Sequence, residues 1–169
     1  MNELDKNLIP SQIKVEGVIF DFDGVIVDSL PAHLEAWKLA THEIIGKKIK
    51  DSQRLIGLST HVIANLIVKD LGSVDQSADL IAAKNRILLG GELEIPLMPG
   101  AREFMLYLQL HNIPFGIASN APPEFVKAVT AYWKLPAKVI LGRGDAPRNK
   151  PHPDIFMKCA RDLSLGMYK

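Results

Sequence analysis

The sequence is poor in cysteine, in net charge and in long apolar runs. It has one cysteine among 169 residues, which excludes an internal disulfide and favours a reducing compartment. Its net charge is only +1, so no strong field attracts it to nucleic acid or to a membrane. No apolar run approaches membrane-spanning length, and residues 1–11 lack the apolar core of a signal peptide. These absences predict a cytoplasmic protein with one domain, or a core that carries a small insertion.

Two carboxylates follow a short apolar run near the start of the chain. Residues 18–20 are apolar, and Asp21 and Asp23 flank one aromatic residue before Gly24. This run is typical of a strand buried on both faces of a parallel sheet, which we expect to cover residues 13–22. Because side chains alternate along a strand, both carboxylates should point the same way. Their repulsion should leave an ionised nucleophile beside a neutral acid, unless a bound cation takes up the charge.

Two alternatives to a catalytic pair follow from the same residues. A calcium-binding loop requires glycine at its sixth position and glutamate at its twelfth. Counted from Asp21, Gly24 is fourth and Ala32 is twelfth, so that pattern does not match. Solvated aspartates without a function remain open as the second alternative.

Helical spacing dominates the stretch that follows this pair. A first helix is predicted from Pro31 to Gly46, and a second from a cap at Ser59 to Gly72. A third is expected from residues 73–77 to the glycines at 90 and 91. Nothing between residues 30 and 98 indicates a strand. This stretch is therefore predicted to be a small helical unit.

Strands and helices alternate from residue 99 onward. Strands are predicted over 113–118 and 139–141, and helices over 104–112, 122–133 and from Asp154 to Gly166. This alternation is typical of a parallel α/β sheet. A parallel crossover needs far fewer residues than separate the first two strands. The helical unit should therefore be an insertion above the carboxyl ends of the strands, where such sheets bind ligands.

Three motifs resemble those of haloacid dehalogenase-like phosphatases, in the β-phosphoglucomutase-like branch. The segment 21–25, followed by Asp28 and Ser29, is similar to the first motif of that family. Ser119 matches the second, and the segment 150–156 resembles the third almost letter for letter. The resemblance extends from Val15 to Leu165. It implies an α/β Rossmann-like core, over residues 1–29 and 99–169, with a helical cap over residues 30–98.

The resemblance also implies roles for individual residues. Asp21 would be the nucleophile that forms an aspartyl-phosphate, and Asp23 the general acid and base. Ser119 would hydrogen-bond the transferring phosphoryl group, and Lys150 would offset the charge of both that group and the nucleophile. Mg²⁺ would be bound by the Asp21 carboxylate and the backbone carbonyl of Asp23.

Substrate contacts are expected from the cap and from the second motif. The resemblance implies that His33 positions Asp23, and that Gly57 and Ser59 belong to a substrate loop. Lys84 and Asn120 are further candidates. A histidine on a helix face and a solvated helix lysine are the structural alternatives for two of these residues.

Hydrolysis of a small sugar phosphate or similar phosphomonoester is the function that these residues favour. A phosphosugar mutase is the alternative, but Thr60 replaces an arginine that such mutases use to hold a second phosphate. A lysine that follows their second motif is also missing near Pro122. The expected partner is a small phosphorylated metabolite, not nucleic acid or a membrane.

The family's fourth motif, an acidic pair that supplies magnesium ligands, is not found before Lys169. The sequence is therefore expected to be C-terminally truncated, with weak magnesium binding, little activity and a tendency to self-associate, whereas the complete form would be a monomer. A truncated core without catalysis, or a binding module, is the alternative from another class.

Overall fold

A parallel three-stranded sheet forms the centre of the computed structural model, which describes residues 15–73 and 75–166. Its strands are β1 (Val18–Phe20), β2 (Phe115–Ala118) and β3 (Val139–Leu141), in the order β1-β2-β3. Both neighbouring pairs are parallel. The predicted α/β class with a parallel sheet is confirmed.

The helices lie close to their predicted positions. In the described residues they are α1 (Leu30–Ile45), α2 (Thr60–Asp70), α3 (Ser77–Leu89), α4 (Ala101–Leu110), α5 (Pro123–Tyr132) and α6 (Asp154–Asp162). A 3₁₀ turn at Gln53–Leu55, which the sequence pattern did not indicate, precedes α2. No helix in the described residues is both long and apolar enough to cross a membrane.

Strand β1 differs from its prediction. Within the described residues it covers only Val18–Phe20, all half-buried, and residues 13 and 14 of the expected strand lie outside them. Both faces of the strand are covered but not fully buried: Val18 and Phe20 pack against the apolar cluster around the sheet, and Ile19 packs against the cluster that includes Ile155 and Cys159 of α6. Asp21 and Asp23 consequently follow the strand and do not belong to it.

Helix α6 packs closely against the sheet at Gly116 of β2. A Cβ atom at this position would lie 2.7 Å from Sγ of Cys159 and 3.1 Å from Cβ of Val139. Cys159 is fully buried, and burial raises the pKa of its thiol to about 11. The cysteine is therefore a packing residue, and β2 requires glycine where α6 crosses it.

The helical unit, residues 30–98, has an apolar cluster of its own. It is formed by α1, α2, α3 and the 3₁₀ turn, with buried side chains that include Trp37, Leu55, Ile63, Ile67 and Leu80. A separate cluster lies around the sheet and includes Phe22, Ile117 and Phe125. This separation supports the division into core and cap, which stays a prediction.

The chain leaves and re-enters the core through two adjacent segments. The backbone N–H of Asp28 donates to the carbonyl of Pro96 at 2.9 Å, and that of Met98 donates to Ile26 at 2.9 Å. The indole N–H of Trp133, at the end of α5, donates to the carbonyl of Ile95 at 2.8 Å. These bonds hold the helical unit against the core at the loops that follow the strands.

Candidate active site

A tight turn after β1 holds the two aspartates. Gly24 has φ +75°, a left-handed conformation that glycine adopts without steric cost. Its N–H donates to the carbonyl of Val27 at 2.8 Å, and Ile26 N–H donates to Phe22 at 2.9 Å. Phe22 is fully buried, whereas the aspartates on either side are not. The turn therefore anchors the aromatic ring in the core and leaves both carboxylates accessible.

Asp21 forms an ion pair with Lys150. Nζ of Lys150 lies 2.8 Å from Oδ1 of Asp21, whose side chain is 48% exposed. The ammonium also lies 4.7 Å from the ring centroid of Phe156, a cation–π distance. The loop after β3 thus brings the lysine to the carboxylate across 129 residues of sequence. The predicted nucleophile and its predicted charge partner are adjacent.

Asn120 fixes the loop that carries Lys150. Its side-chain oxygen accepts from the backbone N–H of Lys150 at 3.0 Å, and its amide donates to the Lys150 carbonyl at 3.2 Å. The residue was expected to bind substrate. Both of its side-chain polar atoms instead hold the third motif, although Asn120 also borders the cavity described below.

Asp23 lies in a group of polar side chains. The hydroxyl of Ser29 donates to its Oδ1 at 2.5 Å, and the hydroxyl of Ser119 donates to its Oδ2 at 3.4 Å. His33 Nε2 lies 3.7 Å from Oδ1, as the resemblance implied. Burial raises the pKa of the Asp23 carboxyl, but His33, Ser29 and Ser119 outweigh it and hold this pKa below its usual value.

The expectation of a neutral acid beside an ionised nucleophile is therefore wrong for Asp23. Hydrogen bonds stabilise its charged form, and Lys150 offsets the charge on Asp21. No role was predicted for Ser29 beyond its place after the first motif. Its side chain makes no cap hydrogen bond and turns to Asp23 instead. A hydroxyl in the first turn after a carboxylate pair is the signal that could have identified it.

Ser119 is fully buried at the end of β2. Its hydroxyl oxygen accepts from the N–H of Ala121 at 2.9 Å, and its proton is directed to Asp23. The residue was expected to contact the transferring phosphoryl group. The structure places it beneath Asp23, where it orients that carboxylate.

A cavity of about 570 Å³ opens between the helical unit and the core. Of the predicted residues, Asp23, His33, Gly57, Lys84 and Asn120 line it. Ser59 does not, because it precedes α2 as an exposed residue, and Thr60 beside it lines the wall. Asp21, Ser119 and Lys150 are not among the described lining residues either. The volume falls in the range of small-molecule sites.

Lys84 is buried in the wall of this cavity. Only 4% of it is exposed, and its Nζ lies 5.8 Å from the ring centroid of Trp37. Burial lowers its pKa from the usual 10.5 to about 8; Asp23 opposes this change, and Arg143 adds to it. The alternative of a solvated helix lysine is therefore wrong.

Arg143 is a cavity residue that the sequence pattern did not reveal. It follows β3, lines the cavity, and donates from Nε to the carbonyl of Asn120 at 2.9 Å. The residue lies between Gly142 and Gly144, and a pair of glycines in a loop predicts only a turn. Arg143 lies at the edge formed by the carboxyl ends of the strands because β3 pairs with β2.

The oxygen donors at Asp21 and Asp23 fit Mg²⁺. No group of three His, Cys, Asp or Glu side chains is arranged for a metal within residues 15–73 and 75–166. Mg²⁺ is usually bound by one or two protein carboxylates and completes its shell with water and phosphate oxygens. The accessible carboxylate of Asp21 and the backbone carbonyl of Asp23 are the groups that would hold it.

The sequence model of the family described as haloacid dehalogenase-like hydrolase matches residues 15–167. Hexitol phosphatase A of Escherichia coli strain K12 is 29% identical over 163 residues, covering 91% of this chain and 71% of that protein. Beta-phosphoglucomutase of Bacillus subtilis strain 168 is 28% identical over 163 residues, which cover 90% of this chain and 71% of that protein. The chain spans as little as 39% of another curated relative.

Solved structures share the fold. The crystal structure of a predicted phosphoglycolate phosphatase from Haemophilus somnus 129PT superposes with a TM-score of 0.80 at 17% identity. The match covers 91% of this chain and 74% of that one. At this identity the likeness establishes the architecture alone.

Proposed function

The chain belongs to the haloacid dehalogenase-like hydrolase family, and from that premise we propose that it hydrolyses a small phosphomonoester through a phosphorylated Asp21. The ion pair between Asp21 and Lys150, at 2.8 Å, is the observation that carries this proposal. A carboxylate that is half exposed and held by a cation is accessible to an electrophile and oriented for attack on it.

The first half of the reaction transfers the phosphoryl group to the protein. An oxygen of Asp21 attacks phosphorus as the ester P–O bond breaks, and the leaving oxygen takes a proton from Asp23. Lys150 offsets negative charge on the phosphoryl oxygens. Bound Mg²⁺, as the family resemblance implies, would neutralise part of that charge when present.

The second half returns the protein to its starting state. Asp23 takes a proton from a water molecule, whose oxygen attacks phosphorus and releases inorganic phosphate from Asp21. Its neighbours hold the pKa of Asp23 below the usual value in the free protein, so the carboxylate is ionised and can accept this proton. For the first half, the arriving phosphate dianion raises that pKa, because like charges disfavour ionisation. His33, Ser29 and Ser119 hold the carboxylate in place in both halves.

The helical unit supplies the rest of the binding site. Gly57 of the substrate loop, Thr60 at the start of α2 and Lys84 line the cavity opposite the strand ends. The proposal retains Ser59 as a residue of the substrate loop next to the cavity wall. A phosphosugar mutase remains the second candidate, since a β-phosphoglucomutase is among the relatives. The uncharged Thr60 in the wall, where the resemblance implies an arginine in mutases, favours hydrolysis.

The experiment compares wild type with Asp21→Asn in hydrolysis of p-nitrophenyl phosphate, with Mg²⁺ and with EDTA. We expect Asp21→Asn to lower turnover by several orders of magnitude and EDTA to abolish it. Asp51→Asn, at an exposed carboxylate of the helical unit, is the matched control and should keep full turnover. Retention of most activity by Asp21→Asn would contradict the proposal.

A further inference from the structure

A second cavity, of about 380 Å³, lies where the end of α3, the segment 91–95 and helix α5 meet. It shares no lining residue with the cavity that contains Asp23. Its volume falls in the range of small-molecule sites. The proposed hydrolysis uses none of the described residues around it, so that reaction does not explain this second cavity.

Apolar and aromatic side chains form most of the wall of the second cavity. Phe125 and Val129 of α5 are buried, whereas Tyr132 at the end of that helix is 78% exposed. The rings of Tyr132 and Trp133 meet edge to face, with their centroids 5.2 Å apart. The Trp133 indole is also fixed by its hydrogen bond to the carbonyl of Ile95. The wall therefore offers a ligand a fixed apolar surface that ends in an exposed aromatic pair.

Among the described residues that line the second cavity, the charged ones are Glu92 and Glu94. Both are exposed. Within residues 15–73 and 75–166, neither forms an ion pair. Arg102 donates to the backbone carbonyl of Trp133 at 3.0 Å, but it does not line the cavity. The wall thus carries two negative charges that no described lining residue neutralises.

The wall suits an organic cation better than a metal ion. Mg²⁺ and Ca²⁺ require a shell of oxygen ligands, whereas no group of three His, Cys, Asp or Glu side chains is arranged for a metal in the part of the chain that the structure describes. The faces of aromatic rings attract an ammonium group at short range. A ligand that combines a positive charge with an apolar body matches both parts of the wall.

We propose that the second cavity binds a small organic cation, in which an ammonium group is attached to an aryl or alkyl body. The ammonium lies against Glu92, Glu94 and the aromatic pair, and the apolar body lies over Phe125 and Val129. A neutral molecule of the same shape makes only the apolar contacts. This site does not depend on the proposed function, since none of its residues acts on the phosphoryl group.

Matched pairs of small molecules test the charge preference by calorimetry on the purified protein at neutral pH. Phenethylammonium and 2-phenylethanol differ by an ammonium in place of a hydroxyl group, as do hexylammonium and 1-hexanol. Both amines are protonated at this pH, as a lysine side chain is. We expect the ammonium member of a pair to bind at least about tenfold more tightly. A preference in the first pair alone identifies an aryl body, and one in the second alone identifies an alkyl body.

Substitutions assign the preference to the two carboxylates. Glu92→Gln and Glu94→Gln together should make the ammonium and hydroxyl members of each pair bind about equally. Glu124→Gln is the matched control, because Glu124 is an exposed carboxylate of α5 that does not line the second cavity. It should keep the full preference.

Filling the second cavity tests the position of the apolar body. Ala128 is an exposed lining residue of α5, and Ala128→Phe places a ring in the space that the ligand needs. This substitution should weaken binding of the preferred amine at least about tenfold. Ala131→Phe, at an exposed residue of the same helix that does not line the cavity, should leave the affinity unchanged.

Three results would overturn the proposal. The first is equal affinity of the ammonium and hydroxyl members in both pairs, or no measurable binding of either amine. The second is a preference that survives the Glu92 and Glu94 substitutions, because the amine would then bind at other carboxylates. The third is an affinity that Ala128→Phe does not change. These assays measure binding alone, so they decide the question even if the protein does not hydrolyse p-nitrophenyl phosphate.

Discussion

Replacement of Lys84 by methionine should stabilise the fold at neutral pH. The side chains have similar length, and methionine has no charge to desolvate in this buried position. The pKa of Lys84 is lowered from the usual 10.5 to about 8, so the folded state releases its proton at lower pH than the unfolded state. At about 1.4 kcal/mol per pKa unit, the buried charge costs on the order of 3 kcal/mol.

The pH dependence of this cost follows from proton linkage. Below pH 8 both states bind the proton, and the full cost is present. Between about pH 8 and 10.5 the unfolded state binds more protons than the folded state, so the free energy of unfolding rises with pH. Above that range the lysine is neutral in both states and the cost is gone.

Urea unfolding followed by far-ultraviolet circular dichroism, from pH 7 to 10.5, measures the effect. We expect Lys84→Met to exceed the wild type in free energy of unfolding at pH 7, and this excess to fall by about 3 kcal/mol by the end of the range. Any other group that titrates in this range contributes equally to both proteins, so the difference between them removes its effect. Lys69→Met, at an exposed residue of α2, should change stability by less than about 0.5 kcal/mol at every pH.

A difference that stays constant with pH would refute this reasoning. A Lys84→Met variant that is less stable than the wild type at pH 7 would also refute it. Either result would mean that other groups in the folded protein compensate the charge of the Lys84 ammonium.

Ser29→Ala removes the 2.5 Å hydrogen bond to Asp23 and should move the alkaline limb of the kcat/KM–pH profile to higher pH, since that bond favours the ionised form and the first half of the reaction needs Asp23 protonated; an unmoved limb would contradict the role. Gly116→Ala introduces a Cβ atom 2.7 Å from Sγ of Cys159 and should lower the free energy of unfolding by about 1–3 kcal/mol in urea. Added Cys159→Ala should recover part of that loss, and strict additivity would argue against the clash. Lys150→Met should lower kcat by about 10²–10³-fold with an unchanged circular dichroism spectrum, whereas a change in KM alone would mean that the lysine only binds substrate.

The sequence predicted the elements well where local signals agreed. Strand β3 was predicted over 139–141 and forms there. Its three residues are apolar, and the proline and glycine residues on either side end regular structure. Strand β1 was harder. Its apolar run predicted a fully buried strand over 13–22, whereas within the described residues the strand covers Val18–Phe20 and is half-buried. The extent of a strand and its burial depend on the strands and helices next to it, which its own residues do not specify.

The candidate site was predictable as motifs but not as contacts. The pairing of Asp21 with Lys150 followed from the resemblance, and the structure places them together. The hydrogen bond from Ser29, the burial of Lys84 and the position of Arg143 depend on tertiary packing, for which single residues give no periodic signal. For Asp23, like-charge repulsion was the only effect visible in the sequence, whereas in the structure Ser29 and His33 at the start of α1 and Ser119 after β2 lower its pKa against the effect of burial.

Trapping of the phosphorylated protein tests the central claim most directly. The protein is mixed with ³²P-labelled p-nitrophenyl phosphate and Mg²⁺, quenched in acid within milliseconds to seconds, and digested for mass spectrometry. The account predicts a label that is stable in acid, released by hydroxylamine as an acyl phosphate, located on Asp21 and absent from Asp21→Asn. Hydrolysis by the wild type with no labelled protein at any quench time, or a label that persists in Asp21→Asn, would contradict it.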